Sequence, residues 1–313
     1  MKLVLASRTG AADGVYHTLI GHIKSKCDIV LVNWCENFLF NEELLMLKDY
    51  VLIDFCEYGY DHVFTETHIW GINSKKFPRY YNNDWVKFDN WVKGNPPKLI
   101  LKREFIKDDF AINYSHNVVS IKPIEYPCTV WNWELDTEEK FNNRPLSCFQ
   151  YWGRSNENRL RIHGNIWHHA TKKGFSVCDN LFFIERFILE EKGEKWVTLW
   201  IPHYYRSDVN QLMPFNAMAK LSLSWEGAGQ KCFRHGEAPC NSVMVMHKNN
   251  LAWSHEWNET NCILVEHGKE MEGIDEALKN PNLYEIYKAG VENCNKYRLE
   301  SYLPYLENII NNA

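Results

Sequence analysis

Short apolar runs separated by longer segments of helical period recur along most of the chain. "KLVLA" (2–6), "CDIVLVNW" (27–34), "YVLIDF" (50–55), "PKLILK" (97–102) and "NVVSI" (117–121) read as buried strands. Between the first two, the turn "SRTGAADG" leads into a predicted helix from Val15 to about Lys26, and "NEELLMLKDY" (41–50) is helical in pattern. From Lys122 to Ser147 the period is lost in a stretch of mixed charge with three prolines, which reads as a connection between domains. The opening pattern then restarts, with strand "SCFQYW" (147–152), turn "GRSNEN", helix "RLRIHGNIWHHATKKG" (159–174) and strand "FSVC" (175–178). "KWVTLWIP", "AKLSLSW", "NSVMVM" and "NCILV" supply further strands, and "EGIDEALKN" with the segment from 282 to 310 supplies a helical tail.

Strands that alternate with helices imply parallel sheets covered on both faces, with ligands bound beyond the carboxyl ends of the strands. The expected class is therefore α/β, with two Rossmann-like doubly wound domains facing each other across a cleft. Their expected bounds are 1–125 and 147–313, joined by a linker over 126–146.

Composition narrows the function classes. A chain of 313 residues can bury a large core, and a net charge of -5 gives no overall field toward nucleic acid or anionic membrane, although a local basic groove stays open. The ten cysteines form no C-x-x-C pair and no zinc spacing, so reduced thiols in a cytoplasmic protein are expected, with several in the core. The apolar start is too short for a signal peptide, and no stretch reaches the length of a membrane span. The thirteen tryptophans fit a large core, and aromatic faces also serve as platforms for sugar-like ligands.

Several chemistries lack their residues. There is no G-x-x-x-x-G-K-[ST] loop, no H-E-x-x-H, no G-x-S-x-G and no Asp-x-Asp. "TGAADG" lacks the later glycine of a dinucleotide turn, and the Tyr-x-x-x-Lys pair Tyr284 and Lys288 falls in the helical tail, where packing explains it better than dehydrogenase chemistry. No metal is expected. Two basic glycine turns remain. Gly153 and Arg154 follow a predicted strand, and Arg159 lies near the start of the next helix; Gly227 and Gly229 precede Arg234 and Glu237. Glycines allow backbone amides close to a phosphate, a helix start adds its positive dipole end, and arginine forks bind phosphate oxygens bidentately. Either turn alone reads equally as a tight strand-to-helix turn with solvated charges; together, at one sheet edge, they favour a diphosphate.

"GRSNENR", followed some seventy residues later by "LSLSWEGAGQKCFRHGEAPCNSVMVM", resembles the donor-binding half of the GT-B glycosyltransferases, in particular the exostosin-like and the phage DNA β-glucosyltransferase types. The resemblance covers roughly residues 147–310, and the N-terminal half only by architecture. It implies a nucleotide sugar as donor, UDP- or GDP-linked, bound without a metal. It further implies that Arg154, Arg159 and Arg234 contact the diphosphate, that Glu237 accepts hydrogen bonds from the ribose, and that backbone groups from Ile201 to His203, with Tyr204, hold the nucleobase. Pro239 and Cys240 stand where relatives carry a small residue and glycine, and the spacing of Arg154 and Arg159 is one residue longer than in the phage type. An inverting transferase also needs a carboxylate base. Asp54 is the first candidate, at the end of a buried strand, with Glu57 and Asp13 as alternatives and solvated loop carboxylates as the competing reading. The acceptor stays open between a glycan, favoured by the acidic balance and the tryptophans, and hydroxymethylated DNA. An inactive sugar-binding module is the non-enzyme alternative.

Overall fold

The computed structural model describes residues 2–7, 28–33, 47–54, 91–92, 94–102, 110–114, 117–124, 134–150, 157–179, 213–214, 216–225, 234–248 and 257–313. The first sheet comprises β1 (Lys2–Ser7), β2 (Asp28–Asn33), β3 (Tyr50–Asp54), β4 (Leu99–Lys102), β5 (Phe110–Tyr114) and β6 (Asn117–Pro123), in the order β2-β1-β3-β4-β6-β5. The second comprises β7 (Leu146–Gln150), β8 (Val177–Asp179), β9 (Ala219–Leu223), β10 (Val243–His247) and β11 (Ile263–Val265), in the order β8-β7-β9-β10-β11. All pairings are parallel except β5 with β6. The class is mixed α/β, and each sheet starts in the same way: its second strand lies outside its first, and the third lies on the other side. Each sheet therefore has a topological switch point, at β1/β3 and at β7/β9.

The apolar runs became strands because both faces of each sheet are covered. Tyr50, Val51, Leu52 and Ile53 of β3 are buried in succession, as are all residues of β10, which is the unbroken burial of interior parallel strands. The antiparallel β5, which pairs Phe110 with Ile121, is absent from the sequence reading. "FAINY" is short, lies at the sheet edge and is interrupted by a polar Asn113 one residue before its end, so periodicity does not mark it. The predicted helix from Val15, most of "NEELLMLKDY" and the strand "KWVTLWIP" lie outside the described residues.

The helices follow their caps. α1 (Glu138–Asn142) lies in the expected connection; Thr137 caps it by accepting from the Lys140 backbone N–H, and two glutamates occupy its first turn. α2 (Glu157–Lys173) buries Ile162, His163, Ile166 and Ala170 on one face, and Gly174, at φ +74, ends it with a bond from its N–H to the Ala170 carbonyl. After the single turn α3 (Arg234–Glu237) come α4 (Glu270–Leu278), α5 (Leu283–Asn295) and α6 (Leu299–Asn311). The predicted helical tail is three helices, α4, α5 and α6, with Lys296–Arg298 between the last two. Gly273 lets α4 lie close to β11, since a Cβ there would come within 2.5 Å of Val265. One connected cluster of buried residues includes Val51, Leu101 and Ile124 together with Phe141, Leu221, Tyr287 and Ile310.

The start of the second sheet is fastened at its amino edge. Arg144 is buried against the stacked rings of Phe141 and Tyr287, 4.7 and 4.9 Å from their centroids. Its guanidinium donates to Asp136 Oδ2 at 2.8 Å and to the carbonyl of Ala219, the first residue of β9, at 2.6 Å. The Asp136 carbonyl accepts from the Tyr284 hydroxyl at 3.0 Å, so the tyrosine of the Tyr-x-x-x-Lys pair serves packing. The described part of the expected connection, residues 134–146, is therefore built around the buried Asp136–Arg144 pair. Five described cysteines, Cys148, Cys178, Cys240, Cys262 and Cys294, are unbridged and buried, and burial pushes the Cys148 and Cys262 thiols far above their ordinary range. No helix among the described residues is long and apolar enough to cross a membrane.

Candidate donor site at the carboxyl edge of the second sheet

The two glycine turns singled out in the sequence grow from neighbouring strands. β7 and β9 pair directly, with Gln150 opposite Leu223 at their carboxyl ends. The segment bearing Gly153 and Arg154 follows Gln150, and the segment bearing Gly227 and Gly229 follows Leu223, so the two leave the sheet about 4.8 Å apart, the spacing of adjacent strands. This is the switch point of the second sheet, where the returning chain opens a crevice. Gly153, Arg154, His203, Gly227, Gly229, and the Ile201–Tyr204 segment lie outside the described residues. Arg159 is the third residue of α2, within its first turn, and Arg234 opens α3. The expected helix after the second glycine turn is short: α3 continues into a 3-10 turn over Ala238–Cys240, because Pro239 has no N–H with which to extend the α-helical ladder.

Glu237 closes α3 and is 6% exposed. Three residues separate it from Arg234, close to one helical turn. The turn that carries it is held from below by a polar network that the sequence reading missed. Asn216 donates to the Ala238 carbonyl at 3.1 Å, and the Ser242 hydroxyl donates to Asn216 Oδ1 at 2.9 Å. The Cys240 thiol donates to the Gly236 carbonyl at 3.2 Å. α5 backs this turn at Gly290, where a Cβ would lie 2.9 Å from the Asn261 carbonyl and 3.7 Å from Pro239. Asn216 and Ser242 are both buried, and every bond they make here stabilises one backbone conformation after Glu237. Pro239 and Cys240, the departures from the expected small residue and glycine, are thus built into the packing against α5.

At the first sheet's switch point, Asp54 is the last residue of β3 and pairs with Ala6 of β1. Its backbone sits at the carboxyl edge, as a strand-end carboxylate was expected to. Glu57 and Asp13 lie outside the described residues.

The sequence matches no protein-family profile, and no curated protein matches it. Solved structures do match in fold. The UDP-forming α,α-trehalose-phosphate synthase of Burkholderia vietnamiensis aligns over 97% of this chain and 76% of its own, with a TM-score of 0.53 and 10% identity. The Anabaena protein HepE, solved in complex with UDP, aligns over 100% of both chains with a TM-score of 0.50 and 9% identity. The fold is that of the GT-B glycosyltransferases. The pneumococcal O-GlcNAc transferase GtfA, solved with UDP and GlcNAc, matches at 10% identity and a TM-score of 0.47 over 84% of this chain, which spans only 52% of that protein's length. In the GT-B frame, the second sheet of this chain corresponds to the half that the sequence resemblance covered, and the first sheet to the half recognised by architecture alone.

Proposed function

We propose that the protein is a glycosyltransferase that moves a sugar from a nucleoside diphosphate sugar to an acceptor hydroxyl, without a metal in the donor site. The observation that supports the reading is the pairing of β7 with β9, which puts the ends of the two strands that precede the basic glycine segments side by side at one sheet edge. UDP is the favoured nucleotide, since the HepE structure of the same fold holds UDP. Arg154, Arg159 and Arg234 would take the diphosphate and Glu237 the ribose hydroxyls, with the nucleobase against the Ile201–His203 backbone. The departing diphosphate gathers negative charge as the glycosidic bond breaks. Fixed guanidinium groups and helix N-termini aimed at that charge are among the larger contributions to catalysis.

The acceptor would be bound on the side of the first sheet, where Asp54 would take the proton of the attacking hydroxyl, with Glu57 and Asp13 as alternatives. A glycan acceptor is preferred to modified DNA because the net charge of -5 opposes association with a polyanion. Incubation with a panel of nucleotide sugars and mass spectrometry of the products tests the activity. Transfer or donor hydrolysis is expected, and binding without turnover on any donor would leave a sugar-nucleotide-binding module instead. Calorimetry with UDP in EDTA tests the metal-free donor site, and loss of binding in EDTA would overturn it. Asp54→Asn is expected to keep donor affinity and lower turnover by roughly 100-fold to 10,000-fold.

A further inference from the structure

One strand over from the glycine turn of β9, the carboxyl ends of β10 and β11 assemble a second cluster that the donor reading does not use. His247, buried, is the last residue of β10 and pairs with Val265, the last residue of β11. The chain then turns through Glu266–Lys269, with Gly268 at φ +86, and brings the first residue of α4 back against the strand end. There Glu270 Oε1 lies 2.9 Å from His247 Nε2 and accepts the Gly268 N–H, also at 2.9 Å. His267, from the same turn and exposed, stacks on His247 with ring centroids 3.8 Å apart and an interplanar angle of 27°. One ligand atom from each of His247, His267 and Glu270 lies within 4.8 Å of the others.

A buried imidazole bonded to a carboxylate has an ordinary structural use, as a staple between a strand end and a helix start. The staple needs two residues. The third, His267, adds a second imidazole nitrogen on the solvent side, and two imidazoles with one carboxylate form the borderline donor set that suits zinc and its neighbours rather than magnesium or calcium. Ligand bonds of about 2.0–2.2 Å place neighbouring donors about 3.3–3.6 Å apart around a tetrahedral ion. The His247 to Glu270 pair would open by about half an ångström, and the exposed His267 ring would turn until its lone pair converges with theirs. We infer that His247, His267 and Glu270 form a binding site for one zinc-class divalent ion, with its fourth position open to solvent. No local motif announces it, since His247 comes from one strand end and the His-x-x-Glu of residues 267–270 follows another.

The site also touches the donor edge. The Trp225 ring lies 4.6 Å from that of His247, and the next residues of the chain are Glu226 and Gly227. An ion on His247 would therefore stiffen the root of the glycine turn without entering the diphosphate position, so the inference does not rest on the donor assignment.

The test is titration of Zn2+ alone into chelator-stripped protein by calorimetry, with Co2+ absorption as a report of coordination. One high-affinity ion per chain is expected, and His267→Ala and Glu270→Gln should each weaken it by about 100-fold or more, beyond the roughly 10-fold to 100-fold typical of losing a group that only supports a ligand. His267→Ala, at an exposed position, should leave the melting temperature of the metal-free protein unchanged, so lost binding there reports ligation and not unfolding. Zinc binding that persists in both variants, no zinc binding by the wild type, or Mg2+ binding of equal strength would overturn the site. UDP calorimetry in EDTA is read separately, so failure of either assignment leaves the other standing.

Discussion

At the amino edge of the second sheet, Arg144 is held against a stacked pair of aromatic rings, bonded to Asp136 and to the first carbonyl of β9, and closed off from water. Beyond the carboxyl edge of the same sheet, the sequence puts Arg154 directly after Gly153 and Arg234 five positions after Gly229, where it opens α3. The residue type is the same and the physics differs. A guanidinium beside a carboxylate and a strand carbonyl satisfies internal groups, and its removal strands a buried anion. A guanidinium beside glycines that follow parallel strands is the residue type that an anionic ligand calls for, and a helix start adds further positive potential. One edge holds the sheet together, and the other is where the donor is proposed to bind.

The comparison can be broken most sharply at Arg144. Arg144→Ala should destabilise the fold by about 3–5 kcal/mol, the scale for breaking a buried pair, while UDP affinity per folded molecule stays unchanged. A wild-type melting temperature would show that the amino edge is not a staple. Arg154→Ala and Arg234→Ala should do the reverse and weaken UDP binding by about 1.5–3 kcal/mol with no shift in melting. Glu237 sharpens the contrast, since it is buried yet proposed to meet the ribose: Glu237→Ala should bind UDP poorly and melt near the wild-type temperature. A lowered melting temperature with unchanged affinity would move it to the structural side.

A smaller effect is expected between the two edges, at Gly290. Alanine there gains helix propensity but drives a Cβ to 2.9 Å from the Asn261 carbonyl, so a net loss of about 1–2 kcal/mol is expected, with weaker UDP binding because the turn after Glu237 is displaced. Unchanged affinity would show that Glu237 does not depend on this backing. The smallest effect is in acid. Burial raises the Asp136 carboxyl, but the hydrogen bonds and charges of Lys140 and Arg144 outweigh it and hold the group below its ordinary 3.8. A depressed carboxylate contributes stability above its unfolded value and loses it as the pH falls through the folded one. The amino edge should therefore weaken only below about pH 4, and Asp136→Asn should flatten that acid limb in urea titrations at graded pH.

Much of the fold was legible because burial on both faces leaves a local trace. The runs "YVLID", "LSCFQ", "AKLSL" and "VMVMH" are apolar enough to declare interior parallel strands, and their alternation with helices implied where ligands sit. β5 escaped because it is a short strand at the sheet edge, whose sequence carries no long apolar run. The break between α5 and α6 escaped because both helices continue the same apolar period. At the donor site the glycines and charges were legible as a motif, whereas Asn216, Ser242 and Gly290 were not: their value lies in partners on other elements.

The sequence by itself determined the interior strands, that the chain runs through one pattern twice, and which residue types stand after the strand ends. Those properties depend on neighbours within a few positions, through backbone propensity and the spacing of apolar side chains. Tertiary structure alone decided that Gln150 stands beside Leu223, that Arg144 closes the amino edge, and that His247 meets His267 and Glu270. Strand order and register are fixed by the joint burial of segments far apart in the chain, and no local pattern carries the identity of the partner.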